Sequence, residues 1–285
     1  MAGARATGKS IFIAVMIKQL ELLAAQRGAL LEPTPATARV LEEHYVGPLY
    51  EQRGIMGATV SAAVKDAYQR DPLVFALTPR NGPAHHLVIR DVAGEDLEKD
   101  EPDEQELGFF ARADAVFFLF DPLKVPEIAD RLRDHLPHHD LGGDPRRVLR
   151  SVLRLLGSRA PRLAMILSKF DAMHDLRSIE GGGDWSRIMQ NPGAAMVRDP
   201  GPIAAANDDD GQLLHAEVHS LLVELQATVF LSTVEQAVGE QGQLRYFAVS
   251  ALGGSPDGTR LNARGIAPFR CLDPLRWALR GQVAI

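Results

Sequence analysis

The sequence predicts an α/β fold in which helices cover both sides of a mostly parallel sheet. Two continuous apolar runs, at residues 115–120 and 163–167, carry this prediction. Strands that are apolar on both faces belong in a parallel sheet covered by helices. Helical patterns alternate with these runs along the chain, which is the order of βαβ units. A glycine-rich loop that opens directly into an apolar helix at residues 3–10 indicates the same class of fold.

Composition excludes several classes of protein. Of the 285 residues, 46% are hydrophobic and 24% charged, which is ordinary for a globular chain. The net charge of −6 gives no support to nucleic-acid binding. No apolar run reaches the about 18 residues of a membrane span. The single cysteine, Cys271, rules out an internal disulfide and indicates a reducing, cytoplasmic location.

The chain reads as one domain over residues 1–285. Residues 172–211 are rich in Gly, Asp and Pro, and we interpret them as an insertion. Residues 255–285 are interpreted as a C-terminal extension. We therefore expect one α/β domain with these two additions.

Hydrophobic periodicity predicts the elements between the two apolar runs and around them. Residues 32–35, with two prolines, are expected to break regular structure. Strands 73–78 and 86–90 are expected to pair antiparallel, because Asn81-Gly82 is a turn signal. The remaining predictions are helices at 9–28, 36–53, 125–136, 144–157, 213–237 and 274–281, and a strand at 245–250.

Residues 3–10 fit the phosphate-binding pattern G-x-x-x-x-G-K-[ST] at every fixed position. Glycines allow the backbone to approach an anion closely, so that successive N–H groups point at phosphates. Lys9 would contact the β- and γ-phosphates, and the Ser10 hydroxyl would bind Mg²⁺. The ordinary alternative is a turn before a helix. The predicted phosphate-binding residues are Gly3, Arg5, Ala6, Thr7, Gly8, Lys9 and Ser10.

A loop of this kind normally follows a buried strand, but only Met1 and Ala2 precede Gly3. Either the strand lies upstream of the sequence as given, or it comes from elsewhere. We expect its position to be central, between residues 86–90 and 115–120. Without it, residues 1–285 are expected to bind nucleotide poorly.

Further motifs follow the predicted strands, where ligands bind in open α/β sheets. Asp91-Val92-Ala93-Gly94-Glu95 forms a D-x-x-G sequence. The Asp91 carboxylate could hold Mg²⁺ through water, and the Gly94 N–H could contact a γ-phosphate.

A base-reading motif is predicted after the strand at 163–167. Ser168-Lys169-Phe170-Asp171 is close to N-K-x-D. Asp171 would accept hydrogen bonds from guanine, which adenine cannot donate, and the stem of Lys169 would lie along the base. A backbone N–H at Ser250 or Ala251 would contact the guanine carbonyl oxygen.

The order and spacing of these motifs resemble the G-domain of Ras-like and translation-factor-like GTPases over about residues 3–254. Within that superfamily the chain looks most like bacterial GTPase-like proteins of multi-component or conflict systems. The resemblance implies a three-layer sandwich that binds GTP or GDP with Mg²⁺, hydrolyses GTP slowly and acts as a nucleotide-dependent switch with a protein activator or effector. Lys9 and Glu95 would be catalytic, and Thr59, with Thr37 as second choice, would ligate the metal. Two departures are Ser168 in place of Asn and Glu95 in place of Gln.

Two other functions are compatible with the motifs. One is a nucleotide-binding interaction module without useful turnover. The other is an ATPase or kinase-like enzyme built on the same phosphate loop. Competition between ATP and GTP would distinguish guanine from adenine recognition.

Overall fold

Two three-stranded sheets carry the fold in the computed structural model. The antiparallel sheet has the order β1 (Leu30–Pro33), β2 (Leu73–Thr78), β3 (His85–Ile89). The parallel sheet has the order β4 (Ala115–Phe120), β5 (Arg162–Leu167), β6 (Leu244–Ala248). The structure describes residues 1–57, 61, 64, 68–100, 103–132, 143–178, 184–203, 208–239 and 242–283.

Helices connect the strands and surround the parallel sheet. A π-helix, Glu42–Glu51, directly continues the second α-helix. The α-helices are α1 (Lys9–Arg27), α2 (Pro35–Leu41), α3 (Gly94–Leu97), α4 (Glu104–Leu107), α5 (Pro126–Leu132), α6 (Pro145–Leu156), α7 (Phe170–His174), α8 (Asp184–Gln190), α9 (Asp208–Glu224), α10 (Thr228–Val238) and α11 (Asp273–Leu279).

The core lies between the parallel sheet and its helices. Leu119 of β4 pairs with Ile166 of β5, which pairs with Phe247 of β6, and all three side chains are buried. Burying each such side chain stabilises the fold by about 1.5–3 kcal/mol. Most of α1 is also buried, including Phe12 and Ile17. A helix that is apolar nearly all round belongs inside a domain, so α1 holds the loop before it against the core.

Met1 and Ala2 lie between the two sheets and bond to both. The Met1 amine donates to the Arg90 carbonyl just after β3, at 2.7 Å. The Ala2 N–H donates to Phe117 O and its carbonyl accepts from Leu119 N, both at 2.8 Å, so Ala2 pairs parallel to β4. These two residues therefore occupy the expected central position. The described residues show two sheets, and a three-layer sandwich around one mostly parallel sheet is not confirmed.

Several predicted elements need correction. Residues 30–33 form β1 although the prolines suggested a break; β1 is an edge strand, where proline is tolerated. The helix predicted over 36–53 is α-helical only to Leu41. Its continuation, Glu42–Glu51, is π-helical and contains Pro48, which cannot donate a backbone hydrogen bond.

The helix predicted over 213–237 is two helices, α9 and α10. Gln226 adopts a left-handed conformation (φ 62°) between them and separates the two helices. Asp208, Asp209 and Asp210, interpreted as loose insertion, form the first turn of α9, because carboxylates are favourable at a helix N-terminus.

Candidate functional site: the loop before α1

The backbone of residues 3–10 follows a path that glycine makes possible. Gly3 has φ 146°, and a Cβ there would lie 2.1 Å from the carbonyl oxygen of Leu119 at the end of β4. Gly8 adopts a left-handed conformation (φ 84°) at the N-cap of α1, with no side-chain cap. Uncapped N–H groups at a helix N-terminus are available to an anion. The loop geometry is therefore compatible with the predicted phosphate cradle.

Lys9 is buried within this loop, with 4% of its surface exposed. Its Nζ donates to the carbonyl oxygens of Gly3 and Ala4, each at 2.9 Å. Burial lowers the pKa of Lys9 to about 8, partly opposed by the charges of Asp91 and Glu98. The ammonium group thus lies inside the curve of the loop. A bound phosphate would replace the two carbonyl oxygens as the hydrogen-bond acceptor of Nζ.

Ser10 and Asp91 meet at the start of α1. Ser10 Oγ donates to Asp91 Oδ2 at 2.6 Å, and the hydroxyl of Tyr45 donates to the same oxygen at 3.1 Å. Asp91 is 5% exposed, and its other oxygen, Oδ1, is buried and has no hydrogen-bond partner among the described residues. Burial raises the pKa of Tyr45 well above its usual range, with a further contribution from Asp91. A buried carboxylate oxygen without a partner is rare, and a bound cation would satisfy it.

Gly94 and the acidic residues after it face the outer side of the loop. A Cβ on Gly94 would lie 2.5 Å from Arg5 N, so α3 packs directly on the loop backbone. Arg5 N donates to Glu98 Oε1 at 2.9 Å, and its guanidinium pairs with Glu98 at 3.3 Å and Glu95 at 3.9 Å. The Lys124 ammonium donates to Arg5 O at 2.8 Å. Glu95 therefore lies beside Arg5 on the solvent side of the loop.

The predicted base-reading residues cluster at the carboxyl ends of β5 and β6. Ser168 Oγ donates to Phe120 O at 3.1 Å, and Lys169 Nζ donates to Asp121 Oδ2 at 3.0 Å. Asp171 accepts a short hydrogen bond from the hydroxyl of Ser250. A purine would have to displace that hydroxyl. The Ser250 N–H, predicted to contact a guanine carbonyl oxygen, instead donates to Phe269 O at 3.1 Å. Ala251, the alternative for that contact, follows at the partly exposed end of the cluster.

Thr59, the predicted metal ligand, lies outside the described residues. Its alternative, Thr37, is buried, and its hydroxyl accepts from the N–H of Val74 in β2 at 2.9 Å. Within the described ranges, no group of three or more His, Cys, Asp or Glu side chains is placed to hold a metal ion. A cation at Asp91 would therefore need a ligand or water to complete its coordination.

The sequence motifs did not indicate three residues that contact the site: Tyr45, Glu98 and Lys124. Tyr45 lies in a π-helix that no local pattern indicates. Glu98 is four residues beyond the D-x-x-G sequence, and a single acidic residue in an acidic stretch carries no signal of its own. Lys124 contacts a residue 119 positions away. Their roles depend on tertiary packing and not on local sequence.

Comparison with known proteins relates the chain to a secretion-system protein. It is 50% identical over 284 residues to a candidate ESX-1 scaffolding and assembly protein, SaeC, of Mycolicibacterium smegmatis. The match covers 99% of this chain and 74% of the relative. No protein-family model matches the chain. No solved structure matches it either.

This relationship corrects the function predicted from the motifs. The relative is named for scaffolding and assembly, not as a P-loop GTPase. The assignments to a GTPase family, to a GTP-dependent switch and to an enzyme that hydrolyses nucleoside triphosphates are therefore wrong. The physical reason is that a phosphate-loop motif describes backbone geometry and a few charges, whereas function resides in the complete site.

The part of the chain that the structure describes contains no helix with the length and apolar character that a bilayer span requires.

Proposed function

We infer that this chain, which belongs to the family of the candidate ESX-1 scaffolding and assembly protein SaeC, is itself a scaffolding and assembly protein of an ESX-1-type secretion system. The single observation that carries this proposal is the near-full-length relationship to that protein. A scaffold acts by binding protein partners in a defined geometry. The partners of this chain are therefore proteins of the secretion system.

A buried arginine gives the chain the rigidity that a scaffold needs. Arg270, 2% exposed, donates to Arg198 O at 2.7 Å, to Asp210 Oδ2 at 2.9 Å and to Asp273 Oδ2 at 2.7 Å. These bonds join the segment before α9, the start of α9 and the start of α11. Charge-assisted bonds of this kind hold side chains in one arrangement. They support a binding surface whose parts keep their relative positions.

The proposal is tested by exchange in Mycolicibacterium smegmatis. In a strain that lacks SaeC, the matched segment of SaeC is replaced by this chain, and the rest of the relative is kept. We expect the hybrid to restore ESX-1-dependent secretion to the level of intact SaeC. A hybrid that accumulates normally but restores no secretion would overturn the proposal.

We further propose that the loop at residues 3–10 holds a phosphate-bearing ligand together with Mg²⁺. The observation that favours this is the buried, unpartnered Oδ1 of Asp91 beside the uncapped N-terminus of α1. Asp91 and Ser10 would hold the cation, and Lys9 would contact the phosphate. Such a ligand would stabilise the folded chain by binding only to it. Backbone groups of Gly3, Arg5, Ala6, Thr7, Gly8 and Gly94 would complete the cradle.

We base the proposed chemical identity of the ligand on the second cluster. Ser168, Lys169, Asp171, Ser250 and Ala251 would select guanine, so GDP or GTP with Mg²⁺ is the proposed ligand. Asp171 carries this selectivity, because it would accept hydrogen bonds that adenine cannot donate. The ligand supports the scaffold, and no turnover is part of the proposal.

Calorimetric titration tests the ligand site. GDP with Mg²⁺ is expected to bind, ADP to bind more weakly, and chelation of Mg²⁺ to weaken both. The Asp91→Ala variant should lose the Mg²⁺ dependence, whereas Asp114→Ala, which changes a carboxylate just before β4, should retain it. Absence of binding by both nucleotides to the folded chain would overturn the proposal.

A further inference from the structure

We infer that Glu98 occupies the position of the outermost phosphate at the loop, so that the site takes a ligand with a short phosphate chain in preference to a triphosphate. The inference rests on the proposed ligand site and names the residue that limits what it accepts. The chemical class of ligand is then a diphosphate or a single phosphate group, bound with Mg²⁺.

The contacts of Glu98 are those that an anionic ligand would make. Oε1 accepts the backbone N–H of Arg5 at 2.9 Å, and Oε2 lies 3.3 Å from Arg5 Nε. A carboxylate and a phosphate compete for the same kinds of donor, a backbone N–H and a guanidinium. The Arg5 side of the loop is therefore already satisfied from within the chain.

The carboxylate of Glu98 is held in place and is not a solvated side chain. Only 17% of its side chain is exposed, against 59% for Arg5. Its backbone N–H donates to Gly94 O at 3.0 Å, which closes the single turn of α3. On its other side, a Cβ on Gly143 would lie 2.5 Å from Glu98 Oε1 and 3.1 Å from Ala4 Cβ. The carboxylate thus fills a narrow space between the loop and Gly143.

The inner and outer ends of the loop carry different charged groups. Lys9, with Ser10 and Asp91, lies at the inner end beside α1, and there the charge of Lys9 faces the curve of the loop. Glu95 and Glu98 both lie at the outer end, beside Arg5. At the outer end the Arg5 guanidinium is already paired with both carboxylates, and the Lys124 ammonium donates to Arg5 O at 2.8 Å. A third phosphate would therefore have to compete with two carboxylates for these cations. It would also have to displace Glu98 from Arg5 N.

The inner end imposes no such requirement. A diphosphate would replace the carbonyl oxygens of Gly3 and Ala4 as the acceptor of Lys9, and it would bind a cation at Asp91. Glu98 could remain bound to Arg5 throughout. Discrimination by like-charge repulsion disfavours one ligand without improving the contacts of the other. Glu98 is therefore a specificity-determining residue of the proposed site, and it acts by exclusion.

The test compares Mg²⁺-pyrophosphate with Mg²⁺-tripolyphosphate, because these probes differ in chain length and carry no base. Affinities are measured by calorimetry on the whole chain and on the Glu98→Gln variant, which keeps the shape of the side chain and removes its charge. We expect the wild type to prefer pyrophosphate. In Glu98→Gln the ratio of affinities should shift towards tripolyphosphate by at least about tenfold.

Two variants serve as comparisons. Glu95→Gln removes a charge that lies 3.9 Å from the guanidinium of Arg5, farther than Glu98, so a smaller shift is expected. Glu104→Gln changes an exposed residue of α4 and should leave the ratio unchanged. Thermal unfolding of each variant shows that the fold is retained.

The outcomes separate the two proposals. Binding of tripolyphosphate only after Glu98→Gln would support the inference strongly. Wild-type preference for tripolyphosphate, or an unchanged ratio in Glu98→Gln, would overturn the inference and leave the phosphate site standing. If neither probe binds to the wild type or to Glu98→Gln, the phosphate site and the role of Glu98 both fall.

Discussion

At the scale of single residues, Asp91 connects three parts of the chain. One of its oxygens accepts from Ser10 in α1 and from Tyr45 in the π-helix, and the other has no partner. The carboxylate thus organises the start of α1 and still has capacity for a cation. The sequence motif predicted that Ser10 and Asp91 would meet, but nothing in it predicted Tyr45.

Substitution of Tyr45 by Phe tests how strongly that carboxylate holds the π-helix. The variant removes a buried hydroxyl whose hydrogen bond has a charged acceptor, so the free energy of unfolding should fall by about 1–3 kcal/mol. Urea unfolding measures the change. Tyr50→Phe, which alters a half-exposed tyrosine of the same π-helix, should be close to neutral. Equal effects of the two substitutions would contradict the role assigned to Tyr45.

Lys9 predicts a specific dependence of stability on pH. Its folded pKa is about 8 because burial opposes its charge, whereas the unfolded chain keeps the proton up to its ordinary value of about 10.4. Between these values the unfolded state binds more protons, so stability rises with pH. The free energy of unfolding of the wild type, relative to Lys9→Met, should increase by about 2–3 kcal/mol from pH 7.5 to pH 10.

The Lys9→Met variant is the reference in that comparison because it removes the titrating group and leaves in place the charged groups that act on its pKa, Asp91, Glu98 and Lys124. Denaturant unfolding at each pH gives both values. A difference between wild type and variant that is flat across this range, or that falls as pH rises, would show that Lys9 is not buried in the manner described.

At the scale of elements, the loop and α3 fit together through Gly94. A Cβ at this position would lie 2.5 Å from Arg5 N and 2.7 Å from Ala4 C, and backbone atoms cannot move aside as a flexible side chain can. We expect Gly94→Ala to separate α3 from the loop and to lower the free energy of unfolding by about 1–3 kcal/mol. The variant should also disturb the contact between Arg5 and Glu98.

Gly108→Ala is the matched control for that substitution. Nothing lies within 4 Å of a Cβ built on Gly108, and its φ is −60°. Replacement by Ala at an unstrained position reduces the entropy of the unfolded chain, so the expected effect is neutral or stabilising by about 0.4–1 kcal/mol. Thermal unfolding of both variants gives the comparison. A Gly94→Ala variant as stable as Gly108→Ala would contradict the packing of α3 on the loop.

The network of Arg270 gives a second prediction at this scale. Its side chain is 1% exposed and binds two carboxylates and a carbonyl. Arg270→Met removes the charged partner of Asp273, whereas Asp210 keeps its pair with Arg198, and the two carboxylates are 19% and 17% exposed. The expected cost is about 1–3 kcal/mol. Arg187→Met, in an exposed pair with Asp184, should cost less than about 1 kcal/mol. A small effect of Arg270→Met in urea unfolding would show that this network does not hold α9 and α11 together.

The sequence predicted individual elements with uneven success, for physical reasons. β2 and β4 match at both ends, because continuous apolar runs with clear flanking turns define a strand. β1 was missed because a short edge strand with proline has no apolar pattern. The break at Gln226 carries no glycine or proline signal, so the helical pattern of the sequence continues through it. Beyond the break, Phe230 of α10 contacts Phe120 of β4, with ring centroids 4.7 Å apart.

The candidate site shows the same division between local and tertiary signals. Gly3, Gly8, Lys9 and Ser10 are close in sequence, so a motif could identify them together. Asp91 joins them because it directly follows a strand. Glu98 reaches Arg5 from 93 positions away, and no pattern in the sequence indicates that pair.

At the scale of the whole molecule, the sequence motifs and the similarity to SaeC indicate different functions. The similarity to SaeC is the stronger indication. Short motifs sample a small fraction of the residues, whereas the match to the M. smegmatis protein extends over 99% of this chain. We therefore propose residues 3–10 as a ligand site within a scaffold.

The central claim is that this chain supports the assembly of an ESX-1-type machine. The most direct measurement is the amount and size of the assembled ESX-1 complex in M. smegmatis, compared between strains with intact SaeC, without SaeC, and with the hybrid that contains this chain. We predict that the hybrid restores the native-size complex and is itself found in complexes with ESX-1 proteins. A stable hybrid, with an ESX-1 complex as depleted as in the strain that lacks SaeC, would contradict the account.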